Sequence, residues 1–201
     1  MIIHPTRAVA LLSLGAILIS AACAKKDAGT GDAGVAMGAD TGVSGARMAA
    51  TTAPLTDANI VYILDHANML DSSAGSVAAQ KGTSADVREF ATMMMRDHHS
   101  LRQQGQALAT KLGVTPTAPA NDASQAQTDR TMALLNGATK GRDFDRAYMD
   151  NEVTYHLAVL ETATVAMGAA QNAELKNLIQ KAAPTILAHL DSAKVLQGGI
   201  K

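Results

Sequence analysis

Five ionisable side chains fall on the apolar faces of helices that the sequence predicts, where charged groups are unexpected. A residue advances about 100° around a helix, so positions i, i+3, i+4 and i+7 share one face. The five on apolar faces are Asp71, His98, Glu152, His156 and His189. An unpartnered charge in a core costs several kcal/mol, so these groups must meet partners, bind a cation or become neutral.

Two interpretations of these residues compete. Carboxylates and imidazoles directed inward from several helices hold metals in helical bundles, so one iron, copper or zinc ion is a candidate cofactor. The same five side chains could instead form a buried hydrogen-bonded network that fixes the register of the helices, or make unrelated contacts. Asp97, Tyr148 and Tyr155 lie beside them on the helix faces and are candidates for supporting hydrogen bonds. No residue is identified as catalytic.

The number of residues between each side chain and the nearest link between helices indicates its height along the bundle axis. Asp71 lies 11 residues before Gly82 and His98 lies 16 residues after it. At a rise of about 1.5 Å per residue, the two differ in height by roughly 7 Å. Around the next link, near Ala170, Glu152 and His189 are almost level. The count favours a Glu152–His189 pair and argues against one compact site that includes Asp71 and His98.

Other kinds of chemistry find little support. The run Met93-Met94-Met95 offers soft thioether ligands for copper, but adjacent helical residues point in different directions, so core packing is the better interpretation. The sequence has no nucleophile elbow, phosphate-binding glycine loop or zinc motif, which leaves no signal for ordinary hydrolysis. Its net charge is −1 and it has no basic run, which argues against nucleic acid as a partner.

The pattern predicts an all-α fold, because aromatic residues make up 2% of the chain and no strand-type alternation occurs. Four long helices and one short helix are predicted at about 57–81, 84–112, 124–135, 143–167 and 172–196. Gly82, Gly113, Gly168 and Gly198 are the predicted stops, and Pro184 should kink the last helix. Short links within each pair and a long link between pairs predict an antiparallel four-helix bundle with a short extra helix in the long connection.

The first residues predict export. Residues 1–22 have one cation, Arg7, then an apolar run and small residues, which is the pattern of a signal peptide. Ile19 to Cys23 resembles a bacterial lipobox, although Ser20 stands where Leu is usual. Cys23 is therefore a predicted lipidation site, and the alternative is ordinary cleavage that leaves a free thiol. We expect a lipid anchor on the periplasmic side of a bacterial membrane, the outer membrane being favoured.

The rest of the chain divides into a linker and a domain. Residues 23–55 are rich in Gly and Ala and have no hydrophobic period, so we expect a disordered tether. Residues 56–198 hold every predicted helix and form the domain.

Three segments resemble a known bacterial family, the ferritin-like domain of unknown function found in exported proteins often labelled "predicted outer membrane protein". The segments are Phe90-Ala91 with Met94 and Asp97-His98, then residues 144–149 with His156, and Ala183-Pro184-Thr185 with His189-Leu190. The resemblance covers about 57–196 and implies a ferritin-like bundle and an envelope location, but no activity. Asp71 stands where the family tends to have Glu. The Glu-x-x-His pairs of di-iron ferritins are absent, because Met95, Val153 and Ile186 precede the three histidines at that spacing.

The leading expectation is a non-enzymatic, lipid-anchored envelope protein whose buried histidines and carboxylates are structural or bind one metal ion. The first alternative is a metal-dependent oxidoreductase that handles iron, copper or peroxide. The second is a helical interaction module for an envelope protein. The membrane is the one partner that the sequence indicates, and it leaves a protein partner and self-association open.

Overall fold

The computed structural model describes residues 54–200, and within them the protein has five helices and no strand. The helices are α1 (Asp57–Lys81), α2 (Ala85–Leu112), α3 (Ser124–Gly137), α4 (Arg142–Ala169) and α5 (Ala173–Gly199). The all-helical prediction is confirmed for this part of the chain. The predicted signal peptide, Cys23 and nearly all of the predicted tether lie outside the described residues.

Three helix ends are set by local sequence, as expected. Thr56 and Asn59 form a capping box at the start of α1, in which each side chain accepts a hydrogen bond from the other residue's backbone N–H. Gly113 ends α2 in the left-handed conformation, with φ 65°. The side chain of Asn172 accepts hydrogen bonds from the backbone of Glu174 and Leu175 and so begins α5.

Two predicted stops are wrong. α4 continues through Gly168 to Ala169, and α5 continues through Gly198 to Gly199. A contact from another helix explains the end of α4. The carboxylate of Asp57, the first residue of α1, accepts hydrogen bonds from the backbone N–H groups of Gln171 (2.8 Å) and Asn172 (3.0 Å). The link between α4 and α5 is therefore fixed by a tertiary contact rather than by a glycine.

The link between α1 and α2 is held in the same way from the opposite side. Asp145, in the first turn of α4, accepts hydrogen bonds from the backbone N–H groups of Thr83 and Ser84, both at 2.8 Å. Asp145 is only 4% exposed. Each helical hairpin thus contributes a carboxylate from the start of its first helix to the link of the other hairpin.

The long helices contact one another as α1 with α2, α4 with α5, α2 with α5 and α1 with α4, while α3 lies against α1 and α4. Gly75 lets α1 and α2 approach closely, because a Cβ atom there would lie 2.8 Å from the carbonyl oxygen of Ala91. This contact is one helical turn beyond Asp71, so it sets the spacing of the two helices beside that carboxylate.

The apolar core has two parts. One part lies around the α1–α2 link and includes Ala78, Val87, Phe90, Met94, Leu135, Phe144, Tyr148 and Met149. The other includes Ile60, Ile63, Ala109, Ala166, Leu175 and Ile179. Along every long helix, the buried polar residues other than Asp145 fall between the members of these two parts. No helix within residues 54–200 is long and apolar enough to cross a membrane.

Candidate metal centre

All five ionisable residues singled out from the sequence are buried. Asp71 from α1, His98 from α2, Glu152 and His156 from α4, and His189 from α5 are each at most 2% exposed. The three imidazole rings lie together, with ring centroids 5.2 Å apart for His98 and His189 and 5.6 Å apart for the other two pairs. The four long helices therefore bring the predicted residues to one level of the core.

The ring of His98 is held by neighbours on α1. Its Nδ1 lies 2.9 Å from Oδ1 of Asn68 and 3.4 Å from Oδ2 of Asp71. The amide nitrogen of Asn68 donates to the carbonyl oxygen of Leu64 at 2.7 Å, which turns its Oδ1 toward the histidine. Because the amide oxygen of Asn68 only accepts, Nδ1 carries the proton. Nε2 of His98 then has a free lone pair, and it is buried without a hydrogen-bond partner.

The ring of His156 is held by its own helix. Nδ1 donates to the backbone carbonyl oxygen of Glu152 at 3.0 Å, and Oε2 of Glu152 lies 3.4 Å away. A carbonyl oxygen only accepts, so Nδ1 carries the proton here too. Nε2 of His156 is left as a buried nitrogen with a lone pair and no partner.

The ring of His189 is oriented by the neighbouring helix. Its Nε2 donates to Oδ2 of Asp97 on α2 at 3.1 Å, and Nδ1 is buried without a partner. Asp97 is 23% exposed, and its Oδ1 accepts a hydrogen bond from Nε of Arg96 at 2.7 Å. This hydrogen bond is the main reason that the pKa of Asp97 is lowered, so a charged carboxylate faces His189.

The three histidines can share one ion. One nitrogen from each of His98, His156 and His189 can be chosen so that all three lie within 4.8 Å of one another. Metal–nitrogen bonds of about 2.0–2.1 Å need nitrogens roughly 3.3–4.2 Å apart, and the upper limit of 4.8 Å lies close to that range. In each ring the nitrogen that bears the proton points to a fixed oxygen acceptor, which is how proteins orient metal-binding imidazoles.

The histidines are neutral at physiological pH. Burial lowers the pKa of His98 well below its usual value, and the neighbouring His156 and His189 lower it further. Burial lowers the pKa of His156 to about 4. Burial also lowers the pKa of His189, although the hydrogen bond to Asp97 opposes this shift. Neutral imidazole is the form that binds a metal ion.

The two buried carboxyl groups behave in the opposite way. Burial raises the pKa of Glu152 to about 8. Burial raises the pKa of Asp71 well above its usual value, and the charge of Glu152 adds to the effect. None of their oxygens has a well-formed hydrogen bond within residues 54–200. Together with His156 they form a second group whose potential ligand atoms lie within 4.8 Å of one another.

The two predicted tyrosines lie beside the carboxyl groups. Tyr148 is fully buried and its hydroxyl faces Glu152, while the ring centroid of Tyr155 lies 6.5 Å from that of His156. Burial raises the pKa of both hydroxyls well above the usual value, so neither ionises near neutral pH. They form apolar walls with a polar end near the site. Of the three methionines, Met94 is a core residue, in line with the packing interpretation.

The height count for Asp71 and His98 gave the wrong result, since Oδ2 of Asp71 lies 3.4 Å from Nδ1 of His98. Side chains lean toward the N-terminus of their helix. In a hairpin, residues of the first helix therefore lean away from the link and those of the second lean toward it. Asp71 lies 11 residues from Gly82 and His98 lies 16 residues from it. The opposite directions in which their side chains lean compensate for this difference of five positions.

The predicted Glu152–His189 pair is wrong for the same reason. The two are level along the backbone, so their opposite leans separate them; Glu152 faces His156, and His189 bonds to Asp97. The ring that meets His189 is that of His156, which lies 14 residues before Ala170, whereas His189 lies 19 after it. The offset is again five residues. The same offset therefore joins a polar pair in both hairpins.

Sequence reasoning missed Asn68. It lies one helical turn before Asp71 and fixes the ring of His98. The available signal was its spacing of three residues from a carboxylate on an apolar face. An uncharged amide carries no burial penalty as large as that of a charge, so it did not stand out.

The fold and the site thus define an all-helical domain with a buried cluster of histidines and carboxyl groups. The chain belongs to the family described as "Domain of unknown function (DUF4142)", which matches residues 43–196. No curated protein matches the sequence.

Among solved structures, the fold is similar to the crystal structure of a DUF305 fragment from Deinococcus radiodurans. The TM-score is 0.61 at 12% sequence identity, over 71% of this chain and 95% of the other. At this identity the likeness concerns the fold alone.

Proposed function

We propose that the domain binds one divalent first-row transition metal ion through His98, His156 and His189. The observation that carries the proposal is the state of the three rings. Each is buried and neutral, each donates its proton to a fixed oxygen, and each has its other nitrogen buried without a partner. Three such nitrogens are costly in a core that contains no ion, and imidazole is a good ligand for zinc, copper and iron.

The carboxyl groups suit a supporting role. Asp71, Glu152 and Asp97 each lie beside the proton-bearing nitrogen of a different histidine. Carboxylates in that position orient an imidazole and increase its basicity. An ion of charge +2 would favour the ionised forms of Asp71 and Glu152, which would then balance its charge. The set Asp71, Glu152 and His156 is a second arrangement for the same ion.

Three protein ligands leave a fourth position of a tetrahedral ion open, as in catalytic zinc sites. An open position is compatible with the metal-dependent oxidoreductase considered from the sequence. The three-histidine set differs from the carboxylate-rich sites of di-iron bundles, so we do not propose ferroxidase chemistry.

The bundle type of the fold and the cellular location of the protein are also proposals. The ring of contacts among α1, α2, α5 and α4 supports a ferritin-like antiparallel four-helix bundle, with α3 as the extra helix in the long connection. The signal-peptide pattern of residues 1–22 and the lipobox-like segment ending at Cys23 support an exported envelope lipoprotein. Intact mass of membrane-derived protein should show a diacylglyceryl Cys23 as first residue. An unlipidated mature chain beginning elsewhere would contradict this.

The metal proposal is tested by elemental analysis and thermal melts of full-length protein purified without an affinity tag. Adding the right ion at 100 times its Kd should stabilise the fold by about 2.7 kcal/mol. We expect this gain with one of Zn²⁺, Cu²⁺, Fe²⁺ or Mn²⁺, and its loss in His98→Ala, His156→Ala and His189→Ala.

His99→Ala is the matched control, because His99 is adjacent in sequence but exposed. Its gain should equal that of the wild type. A wild type that responds to none of the four ions would favour the buried structural network instead. A gain lost in Asp71→Ala but kept in His98→Ala and His189→Ala would favour the second ligand set.

A further inference from the structure

A small cavity lies among all four long helices beside the histidine cluster. Its volume is about 60 Å³. Its polar inner wall consists of Asn68, Asp71 and His98. Asp71 and His98 are each 1% exposed, and the oxygens of Asp71 have no well-formed hydrogen bond. The cavity therefore ends on an unpartnered, buried carboxyl group.

The other walls are hydrocarbon. They come chiefly from α4 and α5, through Val159, Leu160, Leu178 and Ile179, and several small residues leave the space open. Ala182 and Ala183 are two of these, and they precede Pro184 within α5. Proline has no N–H for the carbonyl of Gln180, so the helix is less tightly bonded along this wall.

An ion pair forms part of the cavity wall. Arg102 donates from Nε and Nη2 to the two carboxylate oxygens of Asp65, at 2.9 and 3.1 Å. Both residues line the cavity, and their side chains are 36% and 21% exposed. This ion pair is a partly exposed polar portion of the wall, whereas Asp71 and His98 are each 1% exposed.

The size and lining select the class of guest. A charged guest would lose its hydration without gaining partners along the hydrocarbon walls, so the cavity favours a neutral guest. Most of the lining is hydrocarbon, a surface that favours apolar guests, and a fully apolar cavity of about 150 Å³ holds benzene. A space of about 60 Å³ is too small for a ring but accommodates a molecule of two heavy atoms.

We propose that this cavity is a binding site for a small neutral apolar molecule of the dioxygen class, held beside Asp71 and His98. Binding in the cavity requires no metal ion. A reaction between the bound molecule and a metal ion would rest on the proposed function, but binding in the cavity does not. The proposal and the metal site can therefore fail separately.

The test is methyl NMR of the full chain, treated with chelator and equilibrated with dissolved dioxygen, whose paramagnetism speeds relaxation of nearby nuclei. Methyl groups of Leu178 and Ile179 should relax several-fold faster than those of Val87 and Leu135. The last two are internal controls, because they are at least as buried but lie in the other part of the core. Xenon, a diamagnetic guest, should shift the same cavity signals.

Ala182→Leu should fill the cavity and reduce the relaxation of Ile179 to the control level. Ala188→Leu, the same change at an exposed site on α5, should leave it as in the wild type. If Ala182→Leu does not fold, Leu178→Ala, which enlarges the cavity, should increase the effect at Ile179. Equal relaxation at cavity and control methyls, or a water signal in contact with Ile179, would overturn the proposal.

Discussion

Each of the two helical hairpins brings polar side chains of its two helices together in the core, but different contacts hold them in place. In each, a polar pair is joined across the two helices with an offset of five residues from the link, Asp71 with His98 and His156 with His189. The first hairpin adds a close helix contact at Gly75 and a neutral amide, Asn68, that fixes the histidine. In the second, α5 carries Pro184, and its histidine donates its hydrogen bond to Asp97 of the other hairpin.

From this difference we infer that the first hairpin holds its histidine more rigidly than the second. Its histidine, His98, is held within the hairpin by a buried amide and a buried carboxyl group, whereas His189 depends on an acceptor that is 23% exposed. The cavity also lies against α4 and α5, where the small side chains and the proline are. Movement of the site on binding an ion should therefore occur mainly in α5.

The largest effect should come from the buried carboxyl groups, one in each hairpin. Burial raises the pKa of Glu152 to about 8 in the folded protein, and it raises the pKa of Asp71 as well. A raised pKa gives stability that is complete below the unfolded value, near 4.5 for Glu152, and is lost as pH rises through 8. For metal-free protein, we expect the free energy of unfolding to fall by on the order of several kcal/mol across that range.

The measurement is urea unfolding in the presence of a chelator between about pH 7.5 and 8.5, a window roughly one unit above the usual pKa of histidine. There the histidines stay neutral in both states, so the slope reports the carboxyl groups. Glu152→Gln and Asp71→Asn should each flatten the slope, and Glu89→Gln, an exposed control on α2, should not. Stability that rises with pH in the wild type would contradict the shift.

The close contact in the first hairpin gives the next effect. Gly75→Ala places a methyl group 2.8 Å from the backbone oxygen of Ala91, so α1 and α2 must separate. Overpacking of this kind costs about 1–3 kcal/mol. Gly168→Ala is the matched change in α4, where nothing lies within 4 Å of the added atom.

Because alanine is the better helix former, Gly168→Ala should stabilise by about 0.5–1 kcal/mol. Thermal or urea unfolding of the two variants should therefore give opposite signs. Stabilisation by both changes would mean that the first hairpin is not tightly packed at Gly75.

The two carboxylates that hold the links should differ by a smaller amount. Asp145→Asn weakens two hydrogen bonds at a buried site, so we expect a loss of about 1–2 kcal/mol. Asp57→Asn weakens the matching pair at Gln171 and Asn172, where the contact to Gln171 is exposed and water can replace it. Its loss should be about half as large. Equal losses in urea unfolding would show that burial does not separate the two links.

The sequence was sufficient for the features that depend on periodicity. Apolar stripes predicted the helices and put His98 and His189 inward, and the same stripes left His99 exposed. Heights along a hairpin were predicted wrongly, because the count used backbone positions and side chains lean. The end of α4 was missed because Asp57, 113 residues before Ala170, fixes the link that follows this helix. The protonated nitrogen of each ring depends on a neighbour's orientation, which periodicity does not specify.

The reciprocal contacts of Asp57 and Asp145 have a consequence for how the domain unfolds. If either hairpin detaches, four backbone N–H groups, at Thr83, Ser84, Gln171 and Asn172, lose their acceptors in both links at once. Neither half then keeps the link that it has in the whole, so a partly unfolded state with one intact hairpin gains little. The domain should therefore open as a single cooperative unit, with the slowest-exchanging amides of all four long helices sharing one protection free energy.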